Sequence, residues 1–217
     1  MSEVALLLAA EGRYAVASAR APWVRLAVHG ALGGLVFGGA MGSFSLRAEQ
    51  VLFSALKVPL FLATVTGICL PCFYTLHLAL GLRADFRAAL RGVAAAQATL
   101  ALTLAGLAPL CLVLYAASAS YRLAVVADGG LFAVATLAAQ ATLRRHYRPL
   151  LAADARHRLP RIAWGLLYVF VAIQAAWCLR PFVGDPGLPP AFVRSELWTN
   201  AYVVVARTVG ELLAGKA

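Results

Sequence analysis

The sequence predicts an all-α fold, a polytopic transmembrane helix bundle of about five spans with an interfacial helix near each terminus. Three observations predict it. Hydrophobic residues make up 62% of the 217 residues and charged residues only 13%. In soluble domains about 45–50% of the residues are hydrophobic and about 25% are charged. The mean hydropathy is +0.81. Long runs without Asp, Glu, Lys or Arg recur along the chain, and roughly 20 apolar residues allow a helix to cross a bilayer.

Five such runs are the candidate spans: Leu26–Leu46, Val58–Leu82, Gly92–Tyr121, Leu123–Leu143 and Ile162–Leu179. Asp128 interrupts the fourth span. Trp164 and Trp177 bracket the fifth, and indole rings favour the two membrane interfaces. Pro71 and Pro109 should kink the second and third spans, because proline removes a backbone hydrogen bond and clashes with the preceding turn.

The spans divide the chain into three parts. Residues 1–22 are Ala-rich and weakly amphipathic, which favours a helix on the membrane surface. Residues 23–183 form the membrane domain. Residues 184–217 begin with a Pro- and Gly-rich stretch that excludes a continuous helix, and Leu197–Leu213 then resumes the spacing of an amphipathic helix.

The distribution of basic residues predicts the orientation of the bundle. Lys and Arg are more numerous at the N-terminus and in the loops after the second and fourth spans than in the other loops. The positive-inside rule then places the N-terminus in the cytoplasm. The net charge of +10 follows from the same bias, so we expect no nucleic-acid partner.

Signatures of common enzymes are missing from the sequence. It contains no H-E-x-x-H, no P-loop and no G-x-S-x-G, the patterns of zinc proteases, nucleotide-binding proteins and serine hydrolases. We therefore assign no catalytic residue, expect no metal ion and no cofactor, and prefer a non-enzymatic function, with enzymatic activity as an open alternative.

Glycines form a stripe on the first span. Gly30, Gly34, Gly38 and Gly42 recur at every fourth residue. Small residues at this spacing let another helix approach closely. The stripe indicates either packing within the chain or an interface with a second copy or another membrane protein, and both alternatives stay open.

The second span contains a C-x-x-C pattern, Cys69-Leu-Pro-Cys72. This pattern suits a membrane thiol oxidoreductase acting with a quinone, or two small side chains in an apolar core. We prefer packing, because apolar surroundings disfavour the thiolate that such chemistry needs.

Polar residues inside spans are costly and mark functional candidates. Because neighbouring spans are antiparallel, four of them should lie near the cytoplasmic end: His29, His77, Gln97 and Gln140. A second cluster should lie near the opposite end: Asp128, Gln174, Arg180 and Asp185. We expect Arg180 to bond Asp128 or Asp185 and to hold the proline-rich stretch, as a structural clamp or within a substrate pathway.

The loop after the fourth span is strongly basic: it contains Arg144, Arg145, Arg148, Arg156, Arg158 and Arg161. These residues either determine topology alone or also attract anionic lipid head groups, at about 1 kcal/mol per basic residue near the surface.

Several stretches carry a resemblance: Gly39-Ala-Met-Gly-Ser43, Ala55-Leu-Lys-Val-Pro59, Leu70-Pro-Cys-Phe73, Gly81-Leu82 and Trp177-Cys-Leu-Arg-Pro-Phe-Val-Gly-Asp-Pro186. The chain resembles an uncharacterised family of bacterial multi-pass integral membrane proteins. Its layout is also distantly similar to that of five-span Yip1-type proteins. The resemblance implies a bacterial inner (cytoplasmic) membrane and brings no activity with it.

Three functions remain as hypotheses. The first is a structural or accessory subunit that packs with other membrane proteins, by homo-oligomerisation or with a different partner. The second is a small transporter component using Asp128 and Arg180, which a water-filled cavity at Asp128 would favour. The third is a thiol oxidoreductase using Cys69 and Cys72, which a quinone-sized pocket beside Cys72 would favour.

Overall fold

The computed structural model describes residues 3–9, 12–14, 22–118 and 120–193. These residues form six α-helices and four short 3-10 turns and contain no strand: α1 Glu3–Ala9, α2 Trp23–Gly42, α3 Ala48–Ala79, α4 Phe86–Ala117, α5 Tyr121–Ala153 and α6 Arg158–Cys178. Helices α2 to α6, with their flanking turns, are five candidates long and apolar enough to cross a membrane. The predicted all-α fold with about five spans is confirmed.

Helix α3 is longer than the second predicted span. We expected that span to begin at Val58, because Lys57 is charged, but α3 begins at Ala48. Lys57 therefore lies inside the helix, and its side chain is fully buried. Helix α3 also continues through Pro59 and Pro71, since prolines are tolerated in spans where neighbouring groups satisfy the freed carbonyls.

Helix α2 lies between α3 and α4, while α5 packs against α4 and α6 packs against α3. Contacts between α5 and α6 are sparse. In the centre of the bundle the ring of Phe132 on α5 reaches Phe37 of α2 and Phe61 of α3, at centroid distances of 5.4 and 5.9 Å. These edge-on aromatic contacts close the core across helices that are not sequence neighbours.

Three of the four stripe glycines bring α2 against α3. A Cβ atom on Gly34 would lie 3.0 Å from the Pro59 nitrogen, and one on Gly38 would overlap the Ser54 carbonyl oxygen. A Cβ atom on Gly42 would lie 2.7 Å from the Gln50 carbonyl oxygen. The stripe therefore serves packing within the chain along most of its length.

Gly30 does not share this contact, since no heavy atom lies within 4 Å of its Cβ position. Gly33, which lies outside the stripe, faces α4 instead, where a Cβ would lie 2.5 Å from the Ala101 carbonyl oxygen. Helix α2 thus has glycine on two faces, one of which contacts α3 and the other α4.

The two ends of the bundle differ in character. The arginine-rich end, as we call it, contains the α3–α4 and α5–α6 connections, and the opposite end contains residues 43–47, 117–118, 120–121 and 179–193. At the arginine-rich end the short helix α1 buries Leu7 in a small cluster with Leu26 and Ala98. The predicted C-terminal amphipathic helix, Leu197–Leu213, lies outside the described residues.

Candidate functional site

A buried carboxylate lies between α4 and α5. Asp128 is 1% exposed. It accepts hydrogen bonds from the Tyr115 hydroxyl and, at 3.3 Å, from the Cys111 thiol. The two donors are four residues apart on α4, so they project from one face. The Tyr115 oxygen also lies 3.3 Å from the Met41 carbonyl oxygen, which extends the network to α2.

From the sequence we expected Arg180 to bond Asp128. In the structure, other side chains surround the Asp128 carboxylate. Among the described residues, its hydrogen-bond partners are Tyr115 and Cys111. The Arg180 guanidinium instead stacks over the Trp177 ring, 3.6 Å from its centroid. The reason is helix placement: Arg180 follows α6, which packs on α3, whereas Asp128 points from α5 toward α4.

The other two members of the predicted cluster are also engaged locally. Gln174 donates to the Cys178 sulfur, one turn further along α6, at 3.9 Å. Asp185 accepts from the Gly187 backbone N–H at 2.9 Å in the proline-rich segment, which we define as residues 181–191. The structure thus does not gather Gln174, Arg180 and Asp185 around Asp128.

The proline-rich segment is held by one side of the start of α3, which we call the donor face: Arg47, the residue directly before the helix, and Gln50, Ser54 and Lys57 within it. Their spacing of three or four residues places them on one side of a helix. The segment contains four prolines, which lack an N–H. Its buried carbonyl groups therefore need donors from elsewhere in the chain.

Each donor reaches a main-chain carbonyl oxygen of the segment. Arg47 donates to Leu188 at 2.6 Å and to Pro186 at 3.1 Å. The Gln50 amide lies 3.4 Å from both the Pro181 and Phe182 oxygens, and Ser54 donates to the Phe182 oxygen. The donor face therefore does what we predicted for Arg180.

Lys57 is the deepest member of the donor face. Its ammonium donates to the Pro181 oxygen at 2.6 Å and to the Ala191 oxygen at 3.3 Å. It also lies 5.0 Å from the centroid of the Phe192 ring, within range of a cation–π interaction. We expected Lys57 in the loop before the second span and did not predict this role, although the donor spacing from Arg47 to Lys57 is visible in the sequence.

The four residues predicted for the cytoplasmic end do not form one cluster. His77 is buried beside Phe73, whose carbonyl oxygen is 2.8 Å from its Nδ1 atom. Gln97 accepts from the Tyr168 hydroxyl at 2.9 Å. Gln140 lies against Gly165 of α6. No described contact joins His29 to any of these.

The two connections at the arginine-rich end are tied together by polar and charged side chains, of which only Arg156 was selected from the sequence. The buried His157 places Nε2 3.2 Å from Asp85 Oδ2. Arg156 pairs with Asp154 at 2.7 Å and donates to the Leu80 carbonyl oxygen at 2.9 Å. Hydrogen bonds from Arg156 lower the pKa of Asp154.

The six arginines predicted to bind lipid head groups divide by their contacts. Arg145 donates to the Leu8 carbonyl oxygen at 2.8 Å, and Arg156 is engaged as above. Arg161 is partly buried, whereas the other five are exposed: Arg144, Arg145, Arg148, Arg156 and Arg158. Among the described residues, no group of three or more His, Cys, Asp and Glu could hold a metal ion.

A groove of about 510 Å³ opens beside Cys72 between α3 and α6. Its walls include Cys72, Thr75, Ala79, Ala163, Trp164 and Leu167. Cys72 is exposed while Cys69 is buried in the core. The two cysteines are three residues apart within one helix, which separates Cβ atoms by about 5–6 Å, and a disulfide requires about 3.5–4.5 Å. The geometry therefore disfavours a dithiol centre despite the groove.

The fold defines the class of protein, a multi-pass helical membrane protein. Within it the buried side chains of Gln50, Lys57 and Asp128 bond other parts of the same chain. Comparison with models of protein families, with curated proteins and with solved structures found no match for the chain. The resemblance described from the sequence stays a prediction.

Proposed function

We propose that the chain is a structural or accessory subunit of a membrane assembly, located in a bacterial inner membrane with its N-terminus in the cytoplasm. The buried polar groups support this proposal, because Asp128, Lys57 and Gln50 bond groups of the same chain. The spans expose large apolar side chains to a partner, among them Val36 on α2 and Leu137 on α5. The stripe on α2 is largely occupied by α3, so a partner needs another face.

The observation that carries the proposal is a pair of uncovered glycines on α5. Gly129 and Gly130 are exposed, and no heavy atom lies within 4 Å of either Cβ position. Glycine inside a helix costs about 1 kcal/mol relative to alanine. Gly129 also begins a small-xxx-small pattern that ends at the exposed Ala133. Such a face suits the close approach of a helix from a partner.

Site-specific photo-crosslinking in cells tests the proposal. A photoreactive residue at Ala133 should give a discrete crosslinked product, and Gly130→Leu should abolish it by separating the two helices. The matched control position is Leu166 on α6, which is 70% exposed and should give no discrete product. Equal products from both positions, or insensitivity to Gly130→Leu, would contradict the proposal.

A small transporter component is the second candidate, because one observation favours it. Asp128 is an ionisable group buried between spans, and such groups commonly mark ion or substrate pathways. Reconstituted vesicles containing a pH indicator would reveal a proton flux that depends on Asp128. A flux lost in Asp128→Asn and retained in Arg122→Gln would favour transport over a structural role.

A further inference from the structure

The groove between α3 and α6 has the character of a site for a hydrocarbon chain. Small side chains, Ala79 on α3 and Ala163 on α6, line opposite walls. Trp164 is 2% exposed, lines the groove and packs against Phe73 with a centroid distance of 5.0 Å. The volume of about 510 Å³ falls within the roughly 300–1,000 Å³ of ligand sites.

Polar groups in the groove offer little to a polar ligand. The Thr75 hydroxyl donates to the Cys72 carbonyl oxygen of its own helix at 3.0 Å. The remaining lining side chains are apolar apart from the Cys72 thiol and the indole N–H of Trp164. Because the groove opens on the surface of spanning helices, lipid chains are the molecules that reach it, and burial of their CH₂ groups stabilises binding.

The groove ends at the arginine-rich end of the bundle. Arg156 bonds the Leu80 carbonyl oxygen, and Leu80 directly follows the lining residue Ala79. The Arg156 side chain is 61% exposed, although it pairs with Asp154. The exposed Arg83 follows one turn later, and the Asp85 carboxylate beside it lies against His157.

Arginine outnumbers carboxylate at this end of the bundle. Nine arginines lie between residues 83 and 91 or 144 and 161, with Asp85 and Asp154 as the acidic residues of the same ranges: Arg83, Arg87, Arg91, Arg144, Arg145, Arg148, Arg156, Arg158 and Arg161. The excess of positive charge favours an anionic head group, at about 1 kcal/mol per basic residue near the surface.

We propose that the groove binds one anionic phospholipid of the surrounding bilayer, with an acyl chain against Trp164 and the phosphate near Arg156 and Arg83. This site goes beyond a subunit role, since it does not require a protein partner. It also differs from general attraction to the basic loop, because the apolar walls select one bound lipid and fix its position.

Native mass spectrometry of the full chain in mild detergent tests the site. The probes are phosphatidylglycerol and phosphatidylcholine with identical acyl chains. We expect one phosphatidylglycerol per chain, bound about thirtyfold more tightly than phosphatidylcholine, as roughly 1 kcal/mol from each of two arginines implies. Arg83→Gln should reduce this preference several-fold, while Arg122→Gln at the opposite end should leave it unchanged.

Filling the groove should remove the lipid. Ala163→Phe and Ala79→Phe fill it from opposite walls, and Ala141→Phe is the control on the exposed surface of α5. With thermal unfolding confirming that each variant is folded, we expect the first two to lose the bound lipid and the control to retain it. Retention by both groove variants, equal binding of the two phospholipids, or a quinone as the molecule retained from cells would each overturn the proposal.

Discussion

The ammonium of Lys57 donates a hydrogen bond of 2.6 Å to the carbonyl oxygen of Pro181, a residue 124 positions further along the chain. A fully buried lysine is uncommon, because charged groups are costly to remove from water unless they are paired. Here the ammonium satisfies carbonyl groups that the proline-rich segment cannot pair internally. The contact links the second span to the segment after the fifth.

Replacing Lys57 should release the proline-rich segment. In Lys57→Met the carbonyls of Pro181 and Ala191 lose a charged donor, and hydrogen bonds to charged groups contribute about 1.5–3 kcal/mol. We expect the free energy of unfolding in detergent to fall by about 2–3 kcal/mol and proteolysis within residues 183–191 to accelerate. Arg122→Met, an exposed change at the same end, is the control. A proteolysis pattern identical to wild type would show that Lys57 does not hold the segment.

The glycines of α2 should differ in their tolerance of alanine. Gly38→Ala would place a methyl group on the Ser54 carbonyl oxygen, and overpacking typically costs about 1–3 kcal/mol. Gly30→Ala meets no atom within 4 Å and should be neutral or stabilising, because alanine favours the helix. Thermal unfolding in detergent measures the stability of both variants. Equal melting temperatures for the two variants would exclude a close α2–α3 contact at Gly38.

Asp128 and Tyr115 should be energetically coupled. A double-mutant cycle of Asp128→Asn and Tyr115→Phe should give an interaction energy of about 1–2 kcal/mol, within the range for residues in one hydrogen-bond network. The same cycle with Asp128→Asn and Arg180→Gln should give an interaction energy close to zero. A larger coupling to Arg180 than to Tyr115 would restore the pairing expected from the sequence.

The orientation of the bundle is testable with single introduced cysteines. Ala153→Cys, at the end of α5 in the arginine-rich end, should resist a membrane-impermeant thiol reagent in intact cells and react after permeabilisation. Ala117→Cys, at the opposite end, should react in intact cells. Both positions are exposed. The reverse labelling pattern would place the N-terminus outside the cytoplasm and contradict the positive-inside prediction.

The polar contacts show why the candidate site was harder to predict than the fold. Depth along a span can be estimated from the sequence, and Asp128 and Arg180 were accordingly assigned to the same end. Whether two side chains at one depth meet depends on helix order and rotation, and α6 packs on α3 rather than on α5. Tyr115 and Cys111 were not selected, because a tyrosine and a cysteine in an apolar run are common packing residues.

The sequence by itself determined the class of fold, the number of candidate spans and the concentration of arginine at one end. These follow from composition and from the length of apolar runs, which need no knowledge of which helices touch. Only the tertiary structure decided that Gly34 and Gly38 face α3, that Gly33 faces α4, and that Lys57 is buried. The physical reason is that the local sequence around a charged residue or a glycine does not specify which part of the chain will contact it. Its role depends on which backbone lies against it, and long-range helix packing decides that.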